Sequence, residues 1–191
     1  QYPIAAYAAL RAGLVIVNTN PLYTPREMQH QFKDSGAKAI ILLTDLLPKF
    51  DEVKEHTDIE LVVTTGAADL LTGDMHAPSG CVSLNQILSD FADAVLAIRP
   101  PNSIDDNAVL QYTGGTTGVS TGACLTHRNV MANAEQTRLV LKEGCTEGEE
   151  IFVCPLPLYH IYAFSVNMLV FATSGNLNIL IPNPRDMDAF V

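Results

Sequence analysis

Apolar and polar residues along this chain follow two rhythms, one close to a helical turn and one of short continuous runs. Residues 3–12 are apolar at helical spacing, with proline in the first turn and Gly13 as a stop. Residues 14–17 form a run too short for a helix and are predicted as a buried strand. Thr24-Pro25-Arg26-Glu27 then supplies a cap, an N1 proline and a box-forming glutamate, and the helix it opens closes near Gly36. Residues 39–43 and 60–63 read as further strands, with helix-like sequence between them to about His56. Residues 64–83 are small, polar and glycine-rich and read as a loop, and residues 84–96 as a helix.

Arg99-Pro100-Pro101-Asn102 interrupts both helix and sheet and marks an expected boundary between a first lobe, residues 1–100, and a second, residues 101–191. The second lobe begins with a strand at 109–112 and strand-like sequence at 123–125. A helix at 128–142 follows, with Thr126 as its cap. Strand 151–154, helix 161–173, strand 177–181 and a helix opening at Asp186 complete the pattern. Strands alternating with helices predict an α/β fold of Rossmann-like layered βαβ units with mainly parallel sheets.

Composition narrows the partners. The chain has 191 residues, 48% of them hydrophobic and 17% charged, as in an ordinary globular protein. Its net charge of −10 argues against a nucleic-acid partner. The apolar stretch 161–172 is too short to span a bilayer and is broken by Ser165 and Asn167. Cys81, Cys124, Cys145 and Cys154 contain no Cys-x-x-Cys pair, and reduced thiols in a cytoplasmic protein explain them better than a zinc set with His127. The sequence starts and stops inside helical patterns, so a piece of a longer protein is expected.

Candidate chemistry concentrates in residues 112–122, Tyr-Thr-Gly-Gly-Thr-Thr-Gly-Val-Ser-Thr-Gly, directly after a predicted strand. Glycine lets main-chain N–H groups converge on one point, and threonine hydroxyls add short donors, so the segment can cradle a polyphosphate. A flexible surface turn is the plainer alternative. The segment lacks the Gly-Lys pair of a Walker loop, and it is not a Gly-x-Gly-x-x-Gly fingerprint.

In the order of its residues the segment resembles the signature loop of the adenylate-forming enzymes, Thr-Ser/Gly-Gly-Thr-Thr-Gly-x-Pro-Lys-Gly. Thr113, Gly114, Gly115, Thr116, Thr117, Gly118 and Gly122 fall in place. Ser120 stands where the family usually has proline, and Thr121 where it usually has lysine, which weakens the loop's charge complementarity to phosphate. Asn20-Pro21-Leu22-Tyr23-Thr24-Pro25-Arg26-Glu27, with Asp34-Ser35-Gly36-Ala37-Lys38 after it, and Pro155-Leu156-Pro157-Leu158-Tyr159-His160 resemble two further motifs of the long-chain fatty acid–CoA ligases. The resemblance covers nearly the whole chain, as an N-terminal fragment of such a ligase.

That resemblance implies ATP, magnesium, CoA and a fatty acid as cofactors and partners, and acyl-adenylate formation followed by transfer to CoA. It assigns Thr113, Gly114, Gly115, Thr116, Thr117, Gly118 and Thr121 to ATP, with Thr113 beside magnesium. His160, the candidate catalytic residue, falls at the substrate carboxylate and acyl-pocket entrance. Tyr159 and the helix 161–171 fall along the fatty-acid tunnel, although core packing explains that apolar face equally well. Peripheral attachment at the inner face of the membrane and a homodimer are compatible with it. The family's adenine, ribose and lysine-bearing segments are absent from these residues, so the fragment alone is expected not to turn over. His127 and Arg128 read as a helix start, and His30, His56 and His76 as solvated. Two alternatives stand beside this. Gly118-Val119-Ser120-Thr121-Gly122 fits the Gly-x-Ser-x-Gly elbow of serine hydrolases, with Ser120 as nucleophile. The chain could also bind nucleotide or acyl groups without catalysis.

Overall fold

A computed structural model describes residues 1–95, 103–113, 120–183 and 185. The expected lobe boundary at residues 99–102 and the helix from Asp186 lie outside the described residues, as do Gly114, Gly115, Thr116, Thr117 and Gly118.

Helix α1 (Tyr2–Arg11) leads through Gly13, at φ 78, into strand β1 (Ile16–Asn18). Helix α2 (Pro25–Ser35) is defined at both ends by the residues the sequence nominated. Thr24 Oγ1 accepts from the Glu27 N–H at 3.3 Å, while Glu27 Oε2 accepts from the Thr24 N–H at 2.7 Å. These bonds hold the Glu27 carboxyl below its usual range. At the other end Gly36 takes the left-handed conformation, φ 64, that a side chain would strain.

Three parallel strands, β2 (Ala39–Leu43), β3 (Leu61–Thr65) and β4 (Val82–Ser83), form one sheet. The loop expected at 64–83 therefore contains the end of β3, a short helix α4 (Asp69–Thr72) and β4. Two residues of strand carry no readable alternation, so β4 exists only through its pairing with β3. Between β2 and β3 the chain forms α3 (Leu47–Asp51) flanked by 3₁₀ turns. Helix α5 (Leu84–Asp90) stops earlier than its apolar spacing implies. Phe91 and Val95 are 65% and 86% exposed, so no burial sustains another turn.

A second sheet has the order β1, β5 (Asn107–Thr113), β6 (Thr121–Thr126). β1 runs parallel to β5, with Ile16 opposite Val109, so residues from both expected lobes share this sheet. β6 returns antiparallel to β5, the exception to parallel pairing among the described residues. Helix α6 (His127–Leu141) follows at once, with Thr126 and Asn129 forming a reciprocal capping box. β7 (Ile151–Cys154) and β8 (Leu177–Leu180) pair in parallel. The helix between them is a π-helix over Ala163–Val170, followed by a short α7 (Phe171–Thr173).

Among the described residues two cores hold these layers. Met28, Phe32, Phe50, Val53 and Val62 pack α2 and α3 against the first sheet. Ala6, Ala108, Val109, Phe164 and Met168 pack α1 and the π-helix against the second. Tyr7 donates its hydroxyl to the Met168 carbonyl at 2.6 Å, fastening α1 to the π-helix. Phe164 and Met168 belong to this core, so packing accounts for the apolar face of that helix. Among the described residues no helix is long and apolar enough to cross a membrane.

Candidate functional site

β5 and β6 are the two stems of the glycine–threonine loop. Thr113 pairs with Thr121 at the mouth of the hairpin, which sets the two backbones roughly 4.5–5.5 Å apart there. Both residues are exposed, so their hydroxyls are open to a ligand. One step inward, Tyr112 lies opposite Gly122. A Cβ at Gly122 would stand 3.0 Å from the Tyr112 ring, so glycine is needed there to admit the aromatic ring rather than to make a turn. Tyr112 is 6% exposed and donates its hydroxyl to Asp34 Oδ2 at 2.6 Å. Burial, and then the bond to the Asp34 carboxylate, push its phenol upward, so Tyr112 stays a neutral donor.

The outgoing stem is held from the same helix. His30 Nε2 lies 2.8 Å from the Ser120 carbonyl oxygen. A carbonyl can only accept, so Nε2 carries the proton. His30 was expected to be solvated; it is half-buried and bonded across 90 residues of sequence, a contact that no local pattern announces. His56 and His76 are exposed, as expected, and His127 begins α6. Arg128 pairs with Asp105 at 2.7 Å, an exposed contact at the same helix start.

The first and third sequence motifs also meet. Asn20 Oδ1 accepts from the Leu22 N–H at 2.9 Å and from the Tyr159 hydroxyl at 3.2 Å. Burial and the neighbouring Glu27 and Tyr159 raise the Tyr23 phenol. Lys49 Nζ donates to the Pro21 carbonyl at 2.9 Å, fixing the turn before α2. His160 is exposed, and its Nδ1 accepts the Tyr162 N–H at 3.3 Å as the chain enters the next helix. With Nδ1 accepting, the neutral ring carries its proton on Nε2, which is then a donor for an anionic oxygen.

Charge around the stems is more favourable to an anion than the chain's net −10. Arg26, Gln29, His30, Lys33 and Asp34 line an open depression of about 630 Å³ along α2. Among the described residues no group of three or more His, Cys, Asp or Glu gathers as a metal site, and the four cysteines are free. The elbow geometry of a hydrolase is not formed at Ser120. A nucleophile elbow passes from strand to helix, whereas Ser120 leads into the antiparallel strand β6.

Comparison with known proteins bears on the family and the fold. The family pattern described as AMP-binding enzyme matches residues 1–191. A long-chain-fatty-acid–CoA ligase of Salmonella typhimurium is 40% identical over 209 aligned positions, covering 100% of this chain and 37% of that protein. The chain thus spans little more than a third of the length of such relatives. A crystal structure of a long-chain-fatty-acid–CoA ligase from Archaeoglobus fulgidus is similar at TM-score 0.75 and 27% identity, covering 94% of this chain and 33% of that one. An anthranilate CoA ligase in complex with anthranoyl-AMP shares the fold at TM-score 0.78 and 18% identity, over 94% of this chain and 32% of its own.

Proposed function

Because the chain belongs to the AMP-binding enzyme family, we infer that it is the phosphate-holding part of a ligase that joins long-chain fatty acids to CoA at the expense of ATP. In the first step a carboxylate oxygen attacks the α-phosphorus; the acyl–O–P bond forms, and the bond to the β-phosphate oxygen breaks, releasing diphosphate. In the second, the CoA thiolate attacks the acyl carbonyl, forming the thioester and expelling AMP. Both steps bring anions together, so positioning and electrostatics must supply most of the catalysis.

In this reading Thr113, Gly114, Gly115, Thr116, Thr117, Gly118 and Thr121 hold the β- and γ-phosphates through main-chain N–H groups and hydroxyls. Magnesium arrives with ATP as part of the substrate. Such an ion keeps phosphate and water ligands, so a single exposed hydroxyl at Thr113 fits it. The proton on His160 Nε2 serves the substrate carboxylate at the acyl-pocket entrance, and Tyr159 lines the substrate pocket. A lipid substrate makes contact with the inner face of a membrane an expected property of the whole protein, and cytoplasmic placement and a homodimer belong to the same expectation.

The observation that carries this reading is the Thr113–Thr121 pair: the hairpin register sets two exposed threonines on either side of the loop's mouth. Replacing Thr121 with lysine tests it. Thr121 is exposed, so the change leaves the fold intact while adding a cation at the mouth. By calorimetry T121K is expected to bind MgATP about fivefold to tenfold more tightly at low salt, the gain shrinking as salt rises. Affinity indifferent to the substitution would remove the loop from the phosphate site.

A further inference from the structure

Two side chains of α2, His30 and Asp34, sit one turn apart and reach opposite stems of the hairpin. Asp34 accepts from the hydroxyl of Tyr112 on the incoming strand, and His30 donates to the carbonyl of Ser120 before the outgoing one. Residues four apart on a helix share a face, so both bonds come from one rigid surface. That surface is itself fixed. The capping box holds its start, Met28 and Phe32 anchor its other side in the first core, and Gln31 Nε2 donates to the Asn18 carbonyl at 2.9 Å. Asn18 Nδ2 then donates to Gln111 Oε1 at 3.1 Å, tying β1 to β5 just before Tyr112.

We propose that α2 is a brace for the loop mouth, with His30 and Asp34 as positioning residues that set the spacing of the two stems and thereby the grip on ATP phosphates. The nucleotide half of this rests on the ATP reading above; the brace itself does not. With threonine at position 121, the loop has no lysine to draw the triphosphate in. It must work through main-chain donors and threonine hydroxyls, which are effective only when already in place. A helix that fixes both stems supplies that order, and its Arg26 and Lys33 add positive charge on the same side. The Ser120 carbonyl accepts from His30 in either protonation state, because both keep a hydrogen on Nε2.

The test compares H30L, which removes the donor, with H30Q, whose amide N–H reaches the same carbonyl, in the 191-residue chain. Amide hydrogen exchange without nucleotide reads the brace. H30L is expected to speed exchange at Thr121 and Thr113 about tenfold, H30Q far less, with thermal midpoints of both within about 2 °C of the parent. Titration with MgATP and with magnesium tripolyphosphate reads the consequence: H30L weakens both about tenfold, and H30Q recovers most of the loss. Unchanged exchange in H30L overturns the brace. Faster exchange with unchanged affinity overturns its link to the nucleotide. A parent chain that binds neither polyphosphate, while H30L still loosens the stems, overturns the ATP reading and leaves the brace standing.

Discussion

Alanine at Phe164 is expected to cost about 3–5 kcal/mol of folding stability, the usual loss when a fully buried phenylalanine is truncated. Phe164 is 0% exposed and packs with Ala6, Val109 and Met168, the point where α1, β5 and the π-helix meet. The surrounding elements are tied to one another by the Tyr7–Met168 bond and the β1–β5 pairing, so they cannot close over the void. A domain's total stability is only about 5–15 kcal/mol, so this single change removes a large part of it. Thermal denaturation should show a fall on the order of 10 °C, with F164L losing much less. A loss below about 1 kcal/mol would mean that this core is not packed as described. Because Val109 lies on the strand that leads to Thr113, the same cavity should also loosen the loop mouth.

Alanine at Gly122 is the second large effect, and its cause is contact rather than backbone freedom. The added Cβ would meet the Tyr112 ring at 3.0 Å. The ring cannot withdraw without breaking its hydroxyl bond to Asp34, so a loss of about 1–3 kcal/mol is expected for G122A and more for G122V. A double-mutant cycle isolates the cause. In a Y112A background the ring is gone, and G122A should cost only a few tenths of a kcal/mol. Equal losses in both backgrounds, read from denaturant midpoints, would show that the strand and not the ring demands glycine. Since Tyr112 is also the handle by which α2 holds the incoming stem, G122A should weaken polyphosphate binding along with stability.

What the sequence made legible was local. The limits of α2 are written in Thr24, Glu27 and Gly36, because a cap and a left-handed stop each need a particular side chain at one position. β2 and β7 appear as predicted because a short apolar run between polar neighbours has few other uses. The π-helix was foreseen only as a helix: residues 163–170 are buried nearly all round, so the apolar spacing could not reveal its wider turn. β4 and the β1–β5 pairing depend on partners far along the chain. The candidate site divides the same way. Thr113, Thr121, Tyr159 and His160 are readable from their motifs, whereas His30 and Asp34 act through contacts 90 and 78 residues away. Gly122 was legible as a residue and misleading as to cause, since its role is to make room for Tyr112.

Main-chain amides decide whether the hairpin mouth between β5 and β6 holds the phosphates of ATP. Backbone-amide NMR of the 191-residue chain during titration with MgATP addresses it directly, residue by residue. Phosphate contact at the mouth predicts saturable shifts centred on residues 113–122, reproduced by magnesium tripolyphosphate. Shifts confined to other parts of the chain, or none at saturating nucleotide, would contradict it.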